Sequence, residues 1–129
     1  MNLLLASALI TSLSIPSLGI RGAEVVTCRS SSYADMNLCV NAHPIVKYPD
    51  YAVLAAHNVK GGKPGPFYAL HLLKPGDRLR YGRKVYTVTG LDIVPESHTE
   101  VLNTGEGELR LQTCSLDPRK RLMVTFQRI

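Results

Sequence analysis

The sequence predicts an all-β fold, a single closed barrel of about eight strands with one or two short helices. Two observations carry that expectation. Short apolar runs of strand character recur along the chain, and glycine and proline, ten and eight in number, separate them. The 129 residues are enough to bury one core and too few for two, which fits a single domain.

The elements follow in chain order. The opening Met1-Asn-Leu-Leu-Leu-Ala-Ser-Ala-Leu-Ile-Thr-Ser-Leu-Ser-Ile15 is apolar like the core of a signal peptide, but no Lys or Arg precedes the run and it is too short to span a bilayer. We read 1–12 as an apolar segment leading into the first strand, with no transmembrane anchor in this chain. Strands are expected over 13–20, 23–28, 52–56, 78–80, 84–89, 91–94, 108–113 and 122–127. The stretch between Cys28 and Cys39 is loop-like. The best helical piece is Pro66-Phe-Tyr-Ala-Leu-His-Leu-Leu73, where Pro66 suits a first turn and Phe67, Leu70 and Leu73 fall on one side. Pro75-Gly-Asp77 ends it. As a core-packing helix it gives His71 no catalytic part.

The final two strands carry the chemistry. Apolar residues alternate through Leu109, Leu111 and Thr113, and again through Leu122, Val124 and Phe126, with the period of a half-buried strand. Residues 115–120, broken by Asp117-Pro118, have the composition of a turn. Pairing Thr113 with Leu122, Leu111 with Val124 and Leu109 with Phe126 puts every apolar side chain on one face. Cys114 and Arg121 then share the other. A thiolate can serve as nucleophile and a guanidinium can hold a developing oxyanion, which is the chemistry of covalent acyl transfer once a base is supplied. His57, where the apolar run Tyr51-Ala-Val-Leu-Ala-Ala passes into the loop Lys60-Gly-Gly-Lys-Pro-Gly-Pro66, is the leading candidate for that base. Arg119 and Arg128 are the nearby rivals of Arg121.

Four segments, Leu54-Ala-Ala-His57-Asn58, Phe67-Tyr-Ala-Leu-His-Leu-Leu-Lys-Pro-Gly-Asp77, Leu109-Arg-Leu-Gln-Thr-Cys114 and Arg121-Leu-Met-Val124, resemble the sortase family and occur in its order. Ser14-Ile-Pro-Ser-Leu-Gly-Ile20 resembles its first barrel strand. The resemblance implies one catalytic domain over 13–129 with the sortase-type barrel. It also implies a cysteine transpeptidase that cuts a sorting signal of the Leu-Pro-x-Thr-Gly type and joins the new carboxyl to an amine. Cys114 would attack the scissile carbonyl, His57 would protonate the leaving amine and later deprotonate the incoming one, and Arg121 would stabilise the oxyanion. Thr113, matching the family's Thr-Cys pair, would line the substrate site. No metal or organic cofactor is required.

Cys28 and Cys39 could form a disulfide outside the cell or remain buried thiols, leaving Cys114 as the odd, reactive one. A zinc site of Cys28, Cys39 and His43 matches no common spacing. A net charge of +5 and a pI near 9.3 could suit nucleic acid, yet the basic residues are dispersed, tryptophan is absent and no stacking motif is present. In the family's setting the expected partners are surface proteins bearing the sorting signal and an amine acceptor from cell wall or pilin. The expected location is extracytoplasmic, at the bacterial surface or secreted, with the chain as a monomer and membrane association left open. Two other classes compete. One is a thiol peptidase that passes the acyl group to water, and the other is a noncatalytic peptide-binding barrel.

Overall fold

The C-terminal hairpin pairs as its alternation requires. Strands β9 (Glu108–Cys114) and β10 (Lys120–Arg128) run antiparallel with Thr113 opposite Leu122, Leu111 opposite Val124 and Leu109 opposite Phe126. All six of those side chains are buried. The computed structural model describes residues 10–97, 102–114 and 119–129, with Cys114 described by its backbone alone. The apolar opening over 1–9 and most of the expected turn over 115–120 lie outside the described residues.

Around this hairpin eight strands close a barrel. The chain gives β1 (Ile10–Ile15), β2 (Ile20–Thr27), helix α1 (Tyr33–Ala42), β3 (Ile45–Lys47) and β4 (Val53–Ala55). A small two-stranded ribbon follows, β5 (Val59–Lys60) with β6 (Lys63–Pro64), and then β7 (Arg78–Tyr81) and β8 (Lys84–Pro95). The barrel order is β1-β2-β3-β4-β9-β10-β8-β7, and β7 pairs back onto β1. Leu13, Ile15, Leu54, Phe67, Leu111 and Phe126 fill its interior. Closure leaves the barrel without an unpaired sheet edge. The all-β expectation and the eight-stranded barrel therefore hold, although several elements differ from their expected bounds.

The expected strand 13–20 is two strands. Pro16 opens a 3₁₀ turn over Pro16–Leu18, and Gly19, with φ of 72°, takes the left-handed conformation that turns the chain back so that Ile15 pairs with Ile20. The expected strands 84–89 and 91–94 are one. Against β10, Thr125 lies opposite Gly90 and Phe126 opposite Val88, so Thr89 is the extra residue of a bulge and the glycine marks an irregularity rather than an end. The expected helix over 66–73 is only a 3₁₀ turn at Leu70–Leu72. Its apolar residues Phe67, Leu70 and Leu73 are buried at a spacing of three, the period of a 3₁₀ helix, and successive N–H groups there bond three residues back.

The loop-like reading of the stretch after Cys28 is corrected by α1, the α-helix among the described residues. Ser32 caps its start by accepting from the Asp35 N–H at 3.2 Å, and Asp35 stands in the first turn, where a negative charge suits the helix dipole. Met36, Cys39 and Val40 sit on the face turned to the barrel, where they pack over Val46 and Ala55 on the outside of β3 and β4. α1 is the crossover that parallel pairing of β2 with β3 demands. A disulfide joins Cys28, just past β2, to Cys39 in the helix, with Cα atoms 5.9 Å apart. The two thiolates that a zinc site would need are thus bonded to each other.

Replacing Phe126, fully buried among the interior strands, with alanine should cost about 3–5 kcal/mol of stability, measurable as a lower denaturant midpoint at unchanged slope.

Candidate active site

Three strands set one row of residues side by side. β4 and β9 pair in parallel, with Leu54 beside Leu111 and Ala55 beside Gln112. The alignment continues past the end of β4, because the Ala56 N–H donates to the Gln112 carbonyl at 3.3 Å and the Thr113 hydroxyl donates to the Ala56 carbonyl at 2.8 Å. The next step of this register brings His57 beside Cys114. On the other side of β9, Cys114 is opposite Arg121, and directly opposed residues of antiparallel strands have Cα atoms roughly 4.5–5.5 Å apart. Arg128 is at the far end of β10, opposite Tyr86, and Arg119 precedes the strand with its carbonyl accepting from the Glu96 N–H at 2.9 Å. Of the three arginines, the register sets Arg121 opposite position 114.

His57 is fixed from several directions. Its carbonyl accepts from the Phe67 N–H at 3.2 Å, and Gly65 lies so close that a Cβ there would overlap the His57 carbonyl oxygen and sit 2.8 Å from its carbon. Only a residue without a side chain lets the 58–66 loop lie against the histidine backbone. On the imidazole, Nε2 is 3.0 Å from Asn41 Oδ1 at the end of α1. Burial, and then the positive charge of Lys60, push the His57 pKa below its ordinary value of 6.5.

The surroundings form a cleft of about 150 Å³ whose walls include Tyr33, Met36, Val40, His57, Thr113 and Arg121. A neighbouring hollow of about 450 Å³ runs on past Tyr33 and Arg121 to Pro95, Glu96 and Leu102. Arg121 marks where the two meet. Its Nη2 is 3.4 Å from Glu96 Oε2, an ion pair with the carboxylate half exposed. A pair so open to water adds little stability, and its effect is to orient the guanidinium. Tyr48 stands between the hollows, accepting from Gln112 Nε2 at 3.0 Å. Thr113 borders the cleft with its side chain buried and its hydroxyl donated to Ala56, which ties β9 to the residue before His57. The described residues contain no cluster of His, Cys, Asp or Glu that could hold a metal ion.

The Sortase domain family matches residues 13–129. The chain belongs to the sortase family. Solved sortases share its fold. Sortase C-3 from Streptococcus pneumoniae superposes with a TM-score of 0.73 at 25% identity, covering 92% of this chain and 62% of that one. Sortase A of Listeria monocytogenes gives 0.72 at 20% identity, covering 95% of this chain and 88% of that one. The pilus-related sortase C of Group B Streptococcus gives 0.72 at 21% identity, with 93% and 66% covered. This chain therefore spans less than two thirds of the length of the pneumococcal protein. Among curated protein sequences none matches it. No helix among the described residues of this sortase is long and apolar enough to cross a membrane.

Sequence reasoning missed Asn41, Lys60, Gly65 and Glu96 around this site. Gly65 carried a signal in the Gly-Gly-Lys-Pro-Gly-Pro run, but its role depends on the backbone it touches. Asn41 carried none, because it lies past the stretch between Cys28 and Cys39 and no local pattern marks a helix running through it.

Substituting Thr113 by valine should cost about 1–3 kcal/mol, since the Ala56 carbonyl loses its buried donor, and urea titration would register it. His57 should titrate below 6.5 and move upward in Lys60→Ala, where the charge opposing protonation is gone; ring NMR against pH reads both. Because the folded value is the lower one, the stability His57 contributes is complete above the unfolded value and is lost as the pH falls through the folded value.

Proposed function

We propose that this sortase is a cysteine transpeptidase that cleaves a Leu-Pro-x-Thr-Gly-type sorting signal through a Cys114 acyl-enzyme and transfers the acyl group to an amine. The observation that carries the reading is the row His57, Cys114, Arg121 set by the pairing of β4, β9 and β10. Residues 13–129 form the catalytic domain.

The chemistry follows from those three groups. A free thiol with a pKa near 8.5 is only a few per cent ionised at neutral pH, and neighbouring cationic groups raise the thiolate share. The thiolate of Cys114 attacks the scissile carbonyl, and the carbonyl oxygen becomes an oxyanion as the tetrahedral intermediate forms. Arg121 meets that charge with a planar fork of donors that stays protonated at any working pH. His57 in its protonated form gives a proton to the leaving amine as the C–N bond breaks. The thioester then accepts an incoming amine, whose proton His57 takes while the thiolate departs. Glu96 holds the guanidinium from the groove side, and Thr113 holds β9 to the residue before His57, the alignment that sets positions 57 and 114 side by side.

The disulfide between Cys28 and Cys39 supports an extracytoplasmic location, since such bonds persist in oxidising compartments. Proteins bearing the sorting signal, and an amine of cell wall or pilin, are the partners in this reading, and the chain works as a monomer. One of the similar structures is a pilus-related sortase, which favours testing a pilin amine among the acceptors.

Incubation with a panel of Leu-Pro-x-Thr-Gly-like peptides, with and without an amine, should give an acyl adduct on Cys114 by intact mass, absent in Cys114→Ala and resolved to an amide when the amine is present. Adduct resolved only by water would make the chain a peptidase, and folded protein without adduct or cleavage would return the binding-barrel reading. Arg121→Lys should lower kcat on the order of 10²–10³-fold, as loss of an oxyanion donor does.

A further inference from the structure

The cleft wall opposite the sheet is α1, and the end of that helix is held at three points. Met36 and Val40 pack over Val46 and Ala55. The Cys28–Cys39 disulfide fastens the helix to the end of β2. Lys60, from the β5–β6 ribbon, donates its ammonium to the Asn41 main-chain carbonyl at 2.9 Å, satisfying one of the acceptors that a helix C-terminus leaves without a partner in the helix. The Asn41 side chain is thereby brought to His57, with Oδ1 3.0 Å from Nε2. An amide oxygen has no hydrogen to give, so this bond exists only when Nε2 carries one.

We propose that Asn41 is a positioning residue that holds the His57 ring as the Nε2–H tautomer and leaves Nδ1 as the nitrogen that exchanges protons. The role rests on the transpeptidase reading of His57, while the tautomer itself does not. The proton balance is complete in these atoms. Neutral His57 keeps its Nε2 hydrogen on Asn41 and offers the Nδ1 lone pair. Nδ1 takes the Cys114 thiol proton as the thiolate forms, gives it to the leaving amine as the C–N bond breaks, and receives another from the incoming amine. The Nε2–H bond to Asn41 persists through every step, so the ring does not turn between its acid and base tasks. Among the described residues, the other charged or titratable groups lining the two hollows beside the imidazole are Lys60, Arg121, His43, Tyr33 and Tyr48.

The exposed position of Asn41 makes its substitution compatible with folding, which thermal melts would verify. The test is ring-nitrogen NMR of the ¹⁵N-histidine-labelled full chain across pH, for wild type, Asn41→Ala and Asn41→Asp, alongside peptide turnover. Wild type should show the Nε2–H tautomer of neutral His57. Asn41→Ala should lose that preference and lower kcat about tenfold, the worth of one hydrogen bond, with KM nearly unchanged. Asn41→Asp, which keeps an acceptor and adds a negative charge, should keep the tautomer and raise the His57 titration point. An Nδ1–H tautomer in wild type, or the same tautomer and titration point in wild type and Asn41→Ala, would overturn the proposal. Because the NMR arm needs no substrate, failure of the transpeptidase reading would show as absent turnover with the tautomer result intact.

Discussion

The site depends on strand register, and the register depends on which face of β9 is buried. Leu109, Leu111 and Thr113 point into the barrel together with Leu122, Val124 and Phe126. Sliding β9 by one residue would turn out two buried leucines and sliding β10 three buried apolar side chains, each contributing about 1.5–3 kcal/mol when fully buried. That penalty fixes β9 against β10, and the same buried Leu111 sits beside Leu54 of β4. Side chains that, apart from Thr113, lie away from the cleft thus decide that positions 57, 114 and 121 fall in line. Positions 57, 114 and 121 lie on the opposite side of the same strands, a side that is itself partly packed, with Met123 buried there and α1 lying over β3 and β4.

Electrostatics then divides the tasks. The two basic groups of the row differ in kind: an arginine keeps its charge at any working pH, while His57 is moved toward its neutral form by burial and by Lys60. Lys60 therefore acts twice, closing the end of α1 through the Asn41 carbonyl and discouraging a permanent charge on the histidine. A histidine that gives its proton up readily suits a step in which a poor leaving group must be protonated and the ring then reused as a base.

Much of this was legible from sequence, for a physical reason. The hairpin of β9 and β10 announces itself because alternation with a period of two on both strands admits few registers, and Cys114 and Arg121 followed from it. His57 was reached through the end of an apolar run and the ordered motifs. What escaped depends on partners distant in sequence. β3 has three residues and is a strand only because β2 and β4 flank it. The start of α1 is written in Ser32 and Asp35, but a run of serines in front of them reads equally as loop. Gly90 looks like a terminator and is a bulge, since the neighbouring β10 carries the ladder across it. The spacing of Phe67, Leu70 and Leu73 fits a one-sided helix and a 3₁₀ turn alike. Asn41, Gly65 and Glu96 have no local pattern to betray them, because each is defined by what it meets across the fold.

The hydroxyl of Thr113 reaches an acceptor 57 positions earlier in the chain, and this separation bears on synthesis. His57 is made well before the strand that will complete its surroundings, so a growing polypeptide carries the histidine for the time it takes to add β7 to β10 without any reactive constellation around it. Contacts of such long sequence separation form late and slowly. Positions 57, 114 and 121 consequently come into line only as the barrel closes, so partly made or partly folded molecules lack the assembled row.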